Sequence, residues 1–166
     1  MKREEGFSWI ELLIVVAIVL IIIAITPANF LRSRIAANEA SATSTLRTLN
    51  TAEVTFASTY KSGFTDGLNR LGAPAGGTQP DVNNADLVDP VLSGRTGNNT
   101  SFIKNGYIFT YTPTGKNTAF GFIAQYQIRA DPQARGSSGQ RSFFTDESAV
   151  IRANATAAAT VSDNPL

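Results

Sequence analysis

The chain contains no cysteine and no histidine, with a single methionine and a single tryptophan. Without cysteine, no disulfide can close a loop, whatever the redox state of the compartment. Without histidine, the commonest metal ligand and the commonest general base are both missing. Nor is there an excess of charge of either sign: 14 Lys and Arg face 13 Asp and Glu, for a formal charge of +1. That balance leaves no electrostatic footprint for nucleic acid. Motifs that carry chemistry are absent too. There is no G-x-S-x-G, no Walker loop and no metal spacing of Cys or His, so neither enzymatic activity nor a cofactor is expected. Gly136-Ser137-Ser138-Gly139 reads as a flexible loop rather than a phosphate cradle.

Charge is scarcest near the start of the chain. Residues 7–25 read FSWIELLIVVAIVLIIIAI with Glu11 as their only charge, and the next charge is Arg32. A helix crossing about 30 Å of hydrocarbon needs roughly 20 apolar residues at about 1.5 Å each. Residues 7–31 therefore read as a membrane-spanning helix segment behind a short polar leader, residues 1–6. Glu11 is its odd member. A carboxylate in lipid costs a few kcal/mol and usually faces a partner. The i+3 and i+4 positions are Ile14 and Val15, which cannot pair with it. Either Glu11 sits wet at headgroup depth, or its counter-charge comes from elsewhere. A cut before Phe7 would create an α-amine, mostly protonated near neutral pH, and supply one.

The stretch Gly6-Phe7-Ser8-Trp9-Ile10-Glu11-Leu12-Leu13-Ile14-Val15-Val16-Ala17-Ile18 resembles the type IV prepilin cleavage and methylation signature. That signature is shared by type IV pilins and the pseudopilins of type II secretion. The resemblance implies a peptidase that cuts after Gly6 on the cytoplasmic side and methylates the new terminus, Phe7. It implies that Glu11 meets the Phe7 amine of an adjacent subunit. It further implies an inner-membrane assembly platform, a single-pass precursor in the cytoplasmic membrane, and a homopolymer at the cell surface or, for a pseudopilin, in the periplasm. Residues 29–34 and 36–40 also look like pilin helices. Trp9 stands where the family usually has leucine, and Leu20 replaces a frequent glycine. Many type IV pilins close a C-terminal loop with a disulfide, which this chain cannot do. Flanking charge does not orient the span, because Lys2 and Arg3 precede it while Arg32 and Arg34 follow it. The resemblance places the leader inside. A secretory signal cut near Thr26-Pro27-Ala28 is disfavoured by the length of the apolar run and by the proline. A single-span anchor carrying a β-rich binding module that never polymerises is the reading from another class.

The expected fold is α+β: one long N-terminal helix packed on a small antiparallel sheet. Pro27 should kink the helix near residues 23–27 without ending it. Residues 32–60 form its amphipathic second half, with Ile35, Ala42, Leu46, Leu49, Phe56 and Tyr60 on one stripe. Glu39 belongs to the polar face. Glu53 interrupts the stripe and reads either as a carboxylate whose head reaches water or as a contact for a neighbour's arginine. Residues 61–105, rich in Gly, Asn, Pro and Asp, form a long connection with a short helix over 84–92. Residues 106–153 are the sheet. Tyr107, Phe109 and Tyr111 alternate with Ile108, Thr110 and Thr112. Beyond the turn at 113–117, Phe120, Phe122, Ala124, Tyr126 and Ile128 form the matching face. A second hairpin, 141–145 with 149–152, turns at Asp146-Glu147-Ser148. That turn reads as polar, with Ca²⁺ binding as the lesser alternative. Residues 154–166 read as a flexible tail.

Overall fold

The computed structural model describes residues 6–94, 98–116 and 122–166, with the side chains at 24–28 and 77 outside that set. The leader at 1–5, and Asn117, Phe120 and Gly121 of the first hairpin, therefore lie outside the described residues. The chain divides into two compact units, residues 1–34 and residues 35–166.

Helix α1 (Trp9–Tyr60) contains nearly all of the first apolar run and the amphipathic stripe, and it passes through Pro27. In the first unit every described side chain from residue 6 to residue 23 is exposed, on all sides of the helix. Among the described residues, no helix is long and apolar enough to cross a membrane. The described part of the first apolar run stops at Ile23.

In the second unit, α1 packs on a five-stranded antiparallel sheet in the order β1 (Ser101–Lys104), β2 (Tyr107–Lys116), β3 (Ile123–Pro132), β4 (Ser142–Asp146) and β5 (Arg152–Asn154). Ala42, Leu46, Leu49 and Phe56 supply the helix side of the core, and Tyr107, Phe109, Tyr111, Tyr126 and Ile128 supply the sheet side. Strand β2 alternates as expected. Its inward residues lie opposite inward residues of β3, as in the pairs Phe109 with Ala130 and Tyr111 with Ile128. Ile35 is only half-buried, and Tyr60 packs at the edge of the core.

Several boundaries differ from the sequence reading. The sheet begins at Ser101 rather than at 106, because Asn105-Gly106 is a two-residue hairpin turn with both residues at positive φ, 46° and 73°. That turn pairs the short β1 with β2 and stacks Phe102 on Phe109 at 4.7 Å. The connection before it is packed: Leu68, Leu71, Ala85, Val88 and Leu92 all enter the core. A 3-10 turn forms at Leu68–Leu71. The helix expected over 84–92 does not form. Pro90 lacks an N–H, and the Asp89 carboxylate accepts the Val91 and Leu92 N–H groups in a local turn instead. On β3 the inward face is Tyr126, Ile128 and Ala130, while Ala124 points outward and Ile123 is buried. Segment 63–64 causes this by pairing with the first residue of β3, where the Phe64 N–H donates to the Ile123 carbonyl at 2.9 Å. The second hairpin joins 142–146 to 152–154, one to three residues later than its expected bounds.

The tail read as flexible is tied down. The Ala153 N–H donates to the Asn164 carbonyl and the Leu166 N–H to the Ile151 carbonyl, so the last residues flank β5. Ala159 is buried. Arg135 donates to the Ala155 and Ala157 carbonyls at 2.9 and 3.0 Å and to Ser142 Oγ at 2.8 Å. Asp163 accepts from the Thr160 N–H and from Asn154 Nδ2. Chief among these bonds, the one from Thr160 holds the Asp163 carboxyl below its ordinary value. An arginine and an aspartate thus hold the C-terminal segment in a chain that has no disulfide.

Gly63 shows how tightly segment 63–64 is fitted. Its φ is +77°, and a Cβ there would lie 2.4 Å from the Ile123 carbonyl oxygen, a backbone atom that cannot swing away. Gly63→Ala is expected to lower unfolding stability by roughly 2–4 kcal/mol through left-handed strain and this clash. Urea unfolding of the full chain in detergent, compared with Gly76→Ala, checks it. Gly76 also has positive φ, at +74°, but a Cβ there would meet nothing within 4 Å, so its variant should lose only the strain.

Candidate functional site

Gly6 and Phe7 precede α1, and Glu11 lies in its first turn. The helix starts at Trp9 because Ser8 turns the chain: its carbonyl accepts the Glu11 N–H at 3.0 Å and the Leu12 N–H at 3.1 Å. Ser8-Trp9-Ile10-Glu11 has the spacing of a capping box, serine at the cap and glutamate three residues on, a local signal missed in the reading of the sequence. A negative charge in the first turn also complements the helix dipole, typically by about 0.3–1 kcal/mol. Glu11 is thus favourably placed for the helix dipole without any partner subunit.

The surroundings are open. Gly6, Phe7 and Glu11 are all exposed, and among the described residues beyond its chain neighbours nothing lies within 4 Å of where a Gly6 Cβ would stand. Phe7 is 65% and Trp9 77% exposed. Glu11 takes part in none of the ion pairs formed among the described residues. The arrangement is an accessible Gly-Phe bond followed at once by a helix that is apolar all round, with one carboxylate at its head. A helix apolar all round is normally covered on every side. Residues 9–23 are all exposed.

The second unit contains two carboxylates on α1 whose settings the sequence reading missed. Glu39, placed on the polar face, is nearly buried. Its Oε1 accepts the Gln140 N–H at 2.9 Å and the Arg141 N–H at 3.0 Å, and its Oε2 accepts Arg141 Nε at 2.8 Å. Burial pushes its pKa up, but these backbone bonds and the Arg141 guanidinium outweigh burial and hold the carboxyl below its usual value. Beside it, Asn38 Nδ2 donates to the Ser138 carbonyl at 2.7 Å, so α1 grips the 138–141 loop at two successive residues.

Glu53 neither reaches water nor awaits a neighbour's arginine. It is fully buried and accepts the Thr65 N–H at 3.0 Å on Oε2. Its Oε1 is 2.6 Å from Thr65 Oγ1. Desolvation dominates and pushes the Glu53 carboxyl up, against the lowering effect of its Thr65 bonds. The Tyr111 hydroxyl, raised first by burial and then by the Glu53 charge, donates to the Thr65 carbonyl at 2.7 Å. The clue in the sequence was the position itself: Glu53 shares the helical stripe of the core residues, which argued for burial.

At the second hairpin, Asp146 Oδ1 accepts the Ser148 N–H at 3.0 Å and Glu147 Oε1 accepts Gln125 Nε2 at 3.1 Å. No group of three or more Asp, Glu, His or Cys is placed to hold a metal ion among the described residues. The aromatic residues Phe109, Tyr111 and Tyr126 lie in the core. Comparison with protein-family models, with curated proteins and with solved structures finds no match to this chain.

Proposed function

We propose that this chain is the structural subunit of a type IV pilus-like filament, made as a single-pass precursor in the cytoplasmic membrane. One observation carries the reading: an exposed helix, apolar all round, headed by Gly6-Phe7 and interrupted only by Glu11. Such a surface is stable only where something apolar covers it. In the precursor the cover is lipid. The described part of the run ends at Ile23, and Ala24-Ile25 extend it in the sequence, so residues 7–25 supply the span. After a prepilin peptidase cuts behind Gly6 and methylates Phe7, an inner-membrane platform passes subunits into the filament. Helices of other copies then replace lipid, and Glu11 pairs with the Phe7 amine of a neighbour. The role is mechanical and involves no catalysis and no cofactor.

The two units support a division of labour. The first supplies the polymer's interior, and the second, with its own core and its tied-down C-terminal segment, supplies the outer surface. Electron microscopy of material sheared from native cells tests the reading: fibres that bind an antibody to this chain are expected. A chain found only in short periplasmic filaments would make it a major pseudopilin instead. A chain that never leaves the membrane fraction as polymer would leave a tethered β-rich module.

A further inference from the structure

The hydrogens around Glu53 decide its charge. Glu53 faces Thr65 and Asp66 from the segment after α1, Tyr111 from β2 and Tyr126 from β3. The Tyr126 hydroxyl donates to Asn50 Oδ1 at 3.1 Å, so its proton is directed elsewhere. Among the described residues no Lys or Arg is ion-paired with Glu53. Thr65 Oγ1 stands 2.6 Å from Glu53 Oε1 and 3.2 Å from the Tyr111 hydroxyl oxygen. The Tyr111 hydroxyl donates to the Thr65 carbonyl at 2.7 Å and also interacts with the Glu53 carboxyl, a bond that favours the ionised form without outweighing burial. The threonine hydroxyl has one proton for two acceptors.

With Glu53 ionised, that proton goes to the carboxylate, and a full negative charge stays buried with no Lys or Arg paired to it among the described residues. With Glu53 neutral, its own proton goes to Thr65 Oγ1 and the Thr65 proton goes to Tyr111. The Tyr111 proton still goes to the Thr65 carbonyl, and the Thr65 N–H still goes to Glu53 Oε2. Every donor keeps an acceptor, as in the ionised state, but no unpaired charge is buried.

We propose that Glu53 is carried as the neutral acid and acts as a pH-sensitive latch, holding the segment that leaves α1 against the sheet until the carboxyl ionises. The segment is built to be held. Lys61 and Gly63 turn it at positive φ, and Phe64 pairs with Ile123 immediately before Thr65 enters the network. Burial shifts the acid in the direction the latch requires. The sign follows: a carboxyl raised in the folded state stabilises the fold below its unfolded pKa, and the stabilisation is lost as pH rises through the folded value. The proposal concerns the second unit's own fold and stands apart from the filament reading.

Infrared spectroscopy and amide hydrogen exchange on the full chain in detergent micelles test it. At neutral pH the wild type is expected to show a protonated-carboxyl carbonyl band that Glu53→Gln lacks. As pH rises from the ordinary carboxylate range towards the titration of that band, protection of the amides at 62–66 should fall about tenfold per pH unit in the wild type, because opening then releases one proton, and above the titration it should level off. In Glu53→Gln, whose amide can donate to Thr65 Oγ1 at any pH, protection should stay level. If Glu53→Gln does not fold, carbon-13 labelling of glutamate in the wild type reads the band directly. No protonated-carboxyl band at neutral pH, or protection of 62–66 that does not fall towards the titration of the band and level off above it, would overturn the latch.

Discussion

Glu11→Gln is expected to abolish filaments while precursor accumulates in the membrane at about the wild-type level. The substitution separates the two roles the structure leaves to Glu11. In the first turn of the helix, Glu11 can be replaced by glutamine at little cost, since Glu and Gln are both accepted at the third position after a capping serine. Losing the charge forfeits a dipole interaction of about 0.3–1 kcal/mol, too little to stop assembly. As the counter-charge of a neighbour's Phe7 amine, Glu11 cannot be replaced in this way. Removing one member of a buried ion pair typically costs about 3–5 kcal/mol, because the other charge is left without a partner. That cost recurs at every subunit added. Immunoblots of the membrane fraction, together with electron microscopy of sheared material, read both halves of the expectation. Filaments of normal number and length from the glutamine variant would reduce Glu11 to a cap.

Glu39→Ala is expected to destabilise the second unit by roughly 2–4 kcal/mol. Two backbone N–H groups, those of Gln140 and Arg141, would lose their acceptor, and the Arg141 guanidinium would lose its partner. Hydrogen bonds to a charged group contribute about 1.5–3 kcal/mol, and stranded donors add a desolvation cost. The effect should depend on pH in a definite direction. The Glu39 carboxyl is held below its ordinary value, so its contribution is fully present above the unfolded pKa and disappears as pH falls through the folded one. Wild-type and Glu39→Ala stabilities, from urea unfolding of the full chain in detergent, should therefore differ most near neutral pH and draw together in acid. A gap that is constant with pH would mean that Glu39 acts by packing alone. Glu53 has the opposite sign, so the two carboxylates on α1 tilt the fold's pH profile in opposing directions.

Where hydrophobic period was strong, the sequence was a sufficient guide. Ala42, Leu46, Leu49 and Phe56 repeat at helical spacing and line the core, and Tyr107, Phe109 and Tyr111 repeat at strand spacing and face them. Polar residues were harder to place, because their burial depends on partners distant in sequence. Glu39 is anchored by loop residues 140 and 141, and Arg135 binds carbonyls at 155 and 157. No local pattern announces such bonds, so a tail of Ala and Thr read as loose. Two local signals were present and passed over. Asn105-Gly106 between apolar runs marks a tight hairpin and would have located β1. Ser8-x-x-Glu11 marks a helix start and would have given Glu11 its second role. At the N-terminal end, chain order alone brings Gly6, Phe7 and Glu11 close together; what the structure adds is that all three are exposed.

The most direct measurement is the mass and N-terminal sequence of this protein purified from its native cells. The account predicts a chain that begins at Phe7, with one methyl group on its α-amine and residues 1–6 gone. A chain that still begins at Met1 would contradict it, because Glu11 would then have no neighbouring amine to meet.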